Sequence, residues 1–224
     1  MSSFFNEHAA ASYLDGPPRQ VPGYAGLLRM TTLLLAERVP ADGRVLVLGA
    51  GGGLELKAFA DAHANWSFVG VDPSGPMLAL AGKTAAEHAG RIQLHEGYID
   101  TAPDGPFDGA TCILVFHLMT RDQRLEALRQ LRRRLKPGAP FVLAHITFPQ
   151  AEPERSLWIA RHVAFGSGAG LTPEQTESAR QAIGTRLSIL DPAEEQALLS
   201  EAGFSDITQF YAAFSFRGWV AYAG

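Results

Sequence analysis

Apolar and polar positions recur in two different rhythms along the 224-residue chain. Between residues 44 and 147, short β-branched and aliphatic runs alternate with stretches whose apolar residues return every three or four positions. That alternation predicts βαβ units feeding a parallel sheet. Strands are expected at 44–48, 67–71, 91–95, 109–115 and 140–147, and helices at 54–64, 75–88 and 121–135. The last of these helices carries Leu125, Leu128, Leu131 and Leu135 on one face and stops at Lys136-Pro137-Gly138, where proline removes a helical N–H.

The flanks follow a looser pattern. An amphipathic helix is expected at 24–39, with Leu27, Leu28, Leu34 and Leu35 on one side, after a loop at Asp15-Gly16-Pro17-Pro18; residues 1–14 predict a shorter helix. Beyond the fifth strand, 151–170 and 172–189 read as irregular helices interrupted by the glycine-rich stretch 166–170, a place for a cover over a substrate. Asp191-Pro192-Ala193-Glu194-Glu195 has the N-cap, the first-turn proline and the acidic residues of a helix start, and Gly203 ends that helix. Segments 206–214 and 217–222 then predict an antiparallel hairpin. The chain thus reads as one domain: a helical cover (1–43), a ligand-binding core (44–148), a helical insert (149–190) and a last helix with the hairpin (191–224).

Composition narrows the function. With 46% hydrophobic and 19% charged residues, the chain can offset its ordering entropy, so disordered and fibrous classes are excluded. A net charge of −4 argues against a partner held mainly by phosphate neutralisation. The run Arg132-Arg133-Arg134, with Arg129 and Lys136, could touch a polynucleotide, but its place at a helix end fits complementing the helix dipole. The single Cys112 lies in an apolar run and forms no internal disulfide. No basic cluster precedes an apolar stretch near Glu7, and the longest uncharged run, 109–120, is shorter than the ~18 residues of a membrane span. A soluble, cytoplasmic protein is expected.

The candidate chemistry sits after the first strand, where Gly49-Ala50-Gly51-Gly52-Gly53 leads into a helix. Missing Cβ atoms let main chain press against a ligand, and a helix N-terminus offers N–H groups and partial positive charge. The dinucleotide fingerprint would place its last small residue at Leu54, and no Gly-Lys-Ser/Thr follows, so neither dinucleotide nor Walker chemistry fits. Asp72 ends the second strand, where a carboxylate can accept both ribose hydroxyls; it could also be a helix N-cap.

These motifs together resemble the class I S-adenosylmethionine (SAM)-dependent methyltransferases. The matching segments are Gly49-x-Gly51-x-Gly53, Val71-Asp72-Pro73-Ser74 with Met77, Glu96-Gly97-Tyr98-Ile99, Phe107-Asp108, Leu135-Lys136-Pro137-Gly138 and Glu201-Ala202-Gly203-Phe204. The resemblance implies a Rossmann-like α/β fold with a seven-stranded, mostly parallel sheet ending in an antiparallel hairpin, helices on both faces, and SAM as cofactor. It also implies that Gly49, Ala50, Gly51 and Gly53 face the methionine part, that Asp72 holds the ribose, that Pro73, Met77, Gly97, Tyr98 and Ile99 enclose the adenine, and that Val115 lies near the sulfonium. Val47 stands where that family often has an acid, and Tyr98 where an Asp often meets the adenine amine.

A closer resemblance, to the carboxy-SAM synthases of tRNA wobble-uridine modification, rests on Val21-Pro22-Gly23-Tyr24, on the Leu-Ala-Glu-Arg stretch at Leu35–Arg38 and on the hairpin. It implies that Tyr24 touches the cofactor and that Arg180 pairs with an extra carboxylate. The function expected is methyl transfer from SAM to a small-molecule acceptor; the alternatives are a carboxy-SAM synthase-like activity and a SAM-binding protein without catalysis. His117, just past the fourth strand, is a candidate general base or a packing histidine, and His145 a core or rim residue. Trp158, Phe165 and Arg180 in the insert are candidates for binding the acceptor, with a solvated arginine as the plainer reading of Arg180. Exposed apolar residues on the first helices allow a homodimer without requiring one. No metal site is expected.

Overall fold

The computed structural model describes residues 13–167 and 170–224. Apart from Tyr13 and Leu14, the helix expected at 1–14 lies outside the described residues, as do Gly168 and Ala169 of the interruption. Strands β1 (Arg44–Leu48), β2 (Ser67–Asp72), β3 (Ile92–Glu96), β4 (Gly109–Ile113), β5 (Pro140–Ile146), β6 (Phe204–Ala213) and β7 (Phe216–Ala223) form one sheet in the order β3-β2-β1-β4-β5-β7-β6. The first five are parallel, and β7 runs antiparallel between β5 and β6. Every residue of β4 and β5 is buried, which explains why those strands read as unbroken apolar runs rather than alternating ones.

The helices α1 (Gly16–Gln20), α2 (Tyr24–Ala36), α3 (Leu54–Ala62), α4 (Gly75–Thr84), α5 (Arg121–Arg134), α6 (Glu154–Ser167), α7 (Pro173–Arg186) and α8 (Pro192–Glu201) cover both faces. On one face Leu125, Leu128 and Leu131 of α5 and Leu198 and Leu199 of α8 join Phe141, Leu143 and Trp219. On the other, Leu35 of α2, Phe59 of α3 and Ala81 of α4 pack with Val45, Val47 and Phe68. A third cluster joins Leu27 and Leu28 of α2 to Ile159 of α6 and Phe148.

Two local departures from the sequence expectation bear on the site. The segment 15–18 is not a loop: Pro17 lies in the first turn of α1, where its missing N–H is one of the groups a helix start leaves unpaired. The fourth strand ends at Ile113, two residues early, because Leu114 turns to φ 62 while its N–H bonds the Ala144 carbonyl at 2.7 Å. Positive φ is costly for a residue with a Cβ, and here it peels the chain from the sheet into a short 3₁₀ turn, Phe116–Leu118.

The insert is tied down at both ends. Arg124 of α5 is buried, pairs with Glu195 of α8, donates to the Ser188 carbonyl and donates to Met119 O at 3.1 Å. Ser188 N–H donates to His117 O at 2.9 Å, and Thr147 Oγ1 donates to Leu190 O at 2.7 Å. Leaving one member of such a buried pair alone costs about 3–5 kcal/mol, so the junction between insert and core is firm.

Candidate functional site

The strand order reverses between β1 and β4, which leaves a crevice beyond their carboxyl ends, the usual ligand position in an open α/β sheet. A cavity of about 550 Å³ occupies it. Its floor is Leu48, Gly49 and Gly51 after β1; Asp72, Pro73 and Met77 after β2 form one side; Gly97, Tyr98 and Ile99 after β3 and Leu114 and Val115 after β4 complete it.

The glycine loop is built for close approach. A Cβ on Gly49, at φ +76, would lie 2.1 Å from Val115 Cγ2, and one on Gly51 would meet the Tyr13 hydroxyl at 3.0 Å. Gly53 serves packing instead: its Cβ would lie 2.7 Å from Ala81 Cα, so it lets α3 approach α4. The loop's N–H groups are less available to a ligand than a bare helix start would offer. Those of Gly49 and Ala50 donate to Val71 O at 2.8 and 3.0 Å, and that of Gly51 donates to Asp72 Oδ2 at 3.0 Å.

Asp72 therefore works on two sides. Its Oδ2 accepts from Gly51 and its Oδ1 from the Ser74 N–H at 2.9 Å; the N-cap of α4 is Ser74, not Asp72. Each carboxylate oxygen keeps lone-pair capacity for a further donor. Burial pushes its pKa up, while the Ser74 and Gly51 N–H groups pull it down.

Tyr13 and Tyr24 close the loop side. Tyr13 lies over Gly51 and Gly52 and lines the cavity; burial, with the charges of Glu55 and Asp72, holds its phenol protonated well above the usual range. Tyr24 is buried and donates to Glu55 Oε1 at 3.4 Å, so it supports the loop from behind rather than lining the cavity. Glu55, on the first turn of α3, is itself buried, and desolvation raises its pKa to about 8 against the lowering effect of the Tyr24 hydrogen bond.

Of the residues named from sequence, Gly49, Gly51, Asp72, Pro73, Met77, Gly97, Tyr98, Ile99 and Val115 line this one cavity, and Tyr24, Ala50 and Gly53 do not. His117 sits behind the wall, its ring 6.3 Å from that of His145, and its pKa falls to about 3 through burial and the nearby Arg124. His145 is fully buried, its Nδ1 on the Ile146 carbonyl at 3.0 Å. Trp158 and Phe165 pack on Phe214 of the hairpin turn, with ring centroids 5.7 and 5.5 Å apart, away from the cavity. Arg180 is half-exposed, 4.0 Å from Glu177, and the insert's cavity-lining arginine is Arg186 at the end of α7.

Sequence reasoning missed the opposite wall, formed by Met119 and by Gln123, Glu126, Ala127 and Gln130 of α5. These positions repeat at helical spacing on the face away from the leucines, and a periodicity argument assigns such a face to solvent. The basic end of α5 is occupied too. Arg132 donates to the carbonyls of Gly203 and Gly224, and Arg134, nearly fully buried, donates to those of Asp100 and Ala102 at 3.2 and 3.1 Å, holding the loop after β3.

The glycine floor, the carboxylate after β2 and this sheet order belong to a Rossmann-like α/β fold whose crevice opens at the carboxyl ends of its parallel strands. Residues 45–138 match the family model of a methyltransferase domain. Over 97% of its length the chain is 27% identical to the carboxy-S-adenosyl-L-methionine synthase of Chromohalobacter salexigens, covering 82% of that protein. Among solved structures it resembles magnesium protoporphyrin IX methyltransferase from Synechocystis PCC 6803 with bound SAH, at a TM-score of 0.72 and 15% identity, covering 100% of this chain and 98% of that one. It also resembles human N-acetylserotonin methyltransferase in complex with SAM, at 0.64 and 15%, covering 99% of this chain but 57% of the human one. No helix among the described residues is long and apolar enough to cross a membrane.

Proposed function

We propose that the chain binds SAM with Asp72, the Gly49–Gly53 loop and the Gly97–Ile99 turn, and transfers its methyl group to a small-molecule acceptor. The observation that carries this reading is the single cavity that brings the glycine floor, Asp72 and a polar α5 wall together. Its volume of about 550 Å³ lies within the range of small-molecule and cofactor sites, and a side chain at Gly49 or Gly51 would intrude on its floor. When bound, SAM supplies a methyl group already activated on a sulfonium.

The protein's own part is alignment and water exclusion. Asp72, fixed by two N–H donors, has a set direction for accepting hydroxyls. Tyr13 over the loop and Leu118 and Met119 opposite it supply apolar walls that keep water from the transfer path. His117, buried and neutral, supports the turn that positions Val115 and Leu118. A small acceptor suits the net charge of −4 and the engagement of Arg132 and Arg134 with backbone carbonyls better than a nucleic acid does. A cytoplasmic setting agrees with the lone buried Cys112.

Arg186 favours a second reading, a carboxy-SAM synthase-like activity in which this arginine pairs with an extra carboxylate on the cofactor. It is the cation on the cavity wall among the described residues. One experiment addresses both. Calorimetry with SAM and its demethylated product, followed by mass spectrometry of co-purified cofactor and of products from an acceptor panel, is expected to give binding of both and a methylated acceptor. A heavier, carboxylated sulfonium in the purified protein would select the second reading, and failure to bind either compound would remove both.

A further inference from the structure

The wall that α5 presents to the cavity is organised by one buried arginine. Arg134 Nη2 donates to the carbonyls of Asp100 and Ala102 at 3.2 and 3.1 Å, and its Nη1 donates to Gln130 Oε1 at 2.9 Å. Gln130 Nε2 in turn donates to Glu126 Oε1 at 2.7 Å. A planar guanidinium with fixed donor directions thus sets an acid on the helix in register with the loop after β3. Gln123, Glu126 and Gln130 stand three and four residues apart, so they share one helical face, and Ala127 on that face is small and buried. All four line the cavity, as do Tyr98, Ile99 and Asp100. The Gln130 bond uses one oxygen of Glu126, and a carboxylate has about four lone-pair sites, so the acid can take a donor from a ligand.

We propose that Glu126 reads the base of the methyl donor, its carboxylate accepting from the 6-amino group of the adenine, with Gln130 and Arg134 as positioning residues that hold it in place. The inference rests on the SAM-binding reading above. With the ribose at Asp72, the base extends past Met77 towards the Gly97–Ile99 turn and the α5 wall. The apolar side chains of Met77 and Ile99 suit its faces, and its amino group needs an acceptor. The other polar oxygens on this wall are already committed. Gln123 Oε1 accepts from the Thr120 N–H at 2.9 Å and Gln130 Oε1 from Arg134. Among the described residues three acids line the cavity, Asp72, Asp100 and Glu126. Asp72 serves the glycine loop and the ribose, and Asp100 turns its Oδ1 back to the Thr101 N–H at 3.1 Å. Glu126 alone of the three is held by a side-chain relay. Discrimination of the base then comes from a helix on the opposite wall, while the turn that carries Tyr98 flanks the ring.

The probes are the demethylated thioether of SAM and its purine analogue, in which hydrogen replaces the 6-amino group. Calorimetry with the wild-type protein is expected to show the thioether bound about tenfold more tightly, the low end for a hydrogen bond to a charged group, because Glu126 is exposed to solvent. Glu126→Ala, at an exposed helical position that alanine suits, should weaken the thioether by about the same factor, leave the analogue unchanged and so erase the preference. Glu126→Gln keeps an acceptor oxygen and should restore part of it. Gln130→Leu breaks the link to Arg134 and should lower the preference severalfold without weakening the analogue. A merely structural role for either side chain would weaken both compounds alike, and that result overturns the proposal. Equal wild-type affinities for the two compounds also overturn it, as does a preference that survives in Glu126→Ala but disappears in Asp100→Asn; each of these leaves the SAM reading standing. Wild-type protein that binds neither compound overturns the SAM reading and this inference with it.

Discussion

Substituting Gly49 by alanine tests the close approach of the loop to the turn after β4. Two costs follow from its surroundings. At φ +76 an alanine is in the left-handed region, at about 1–2 kcal/mol. Its Cβ would also stand 2.1 Å from Val115 Cγ2, far inside the ~3.5–4.0 Å of carbon–carbon contact, and relieving such an overlap costs about 1–3 kcal/mol. The single variant should therefore lose about 2–5 kcal/mol. Replacing Val115 by alanine removes Cγ2 and leaves Val115 Cβ at 3.4 Å, a tight but tolerable contact, so the double variant should retain only the backbone cost on top of the small Val115→Ala loss. The predicted coupling is about 1–3 kcal/mol, well above the ~0.5 kcal/mol within which independent sites add. Urea denaturation of the four proteins measures it. Additive losses would mean that the loop shifts freely, and the steric argument for the cavity floor would fail.

Other perturbations address separate parts of the site. Asp72→Ala should weaken SAM binding by about 1–3 kcal/mol through lost hydroxyl contacts, read by calorimetry; unchanged affinity would remove Asp72 from the site. Arg134→Met frees the loop at Asp100 and Ala102, so hydrogen exchange at Gly97–Ala102 should quicken and SAM affinity fall severalfold, with α5 itself intact. His117, with its folded pKa lowered to about 3, binds fewer protons than the unfolded chain's histidine. Its contribution to stability is therefore complete above about pH 6.5 and lost as pH falls toward 3; His117→Phe should flatten that acid limb of the melting curve. Glu55 has the opposite sign: its folded pKa is raised to about 8, so its contribution is present below about pH 4.5 and lost as pH rises through 8, and Glu55→Gln should flatten the alkaline limb of the ligand-free protein.

The sheet was legible because its central strands are apolar on both faces and its helices announce themselves at their ends, as with Asp191, whose side chain caps α8. The floor of the crevice was legible for a related reason: Gly49 and Gly51 take positive φ in the turn out of β1, and Asp72 stands at the end of β2. The far wall was not. Gln123 and Gln130 look solvent-facing until tertiary packing places α5 beside the loop after β3, and Tyr13 joins the site only through the fold of the segment ahead of α1. In the insert, the resemblance to the carboxy-SAM synthases pointed to Arg180, but α7 runs on to Arg186 before the chain returns to the core, and it is the later residue that lines the cavity. Glu55 drew no notice because the burial of a carboxyl is invisible in one dimension.

The paired attachments at Thr147–Leu190 and at Ser188 with Arg124 and His117 place both feet of the insert on the same ground. A segment so mounted is a cassette: it can be lengthened, exchanged for another or trimmed while the sheet beneath keeps its register and the floor of the crevice keeps its shape. Grafting a foreign insert between those two footings, with Arg186 kept in place on the cavity wall, is thus the natural route to altering what this scaffold accepts without moving the glycine floor or Asp72.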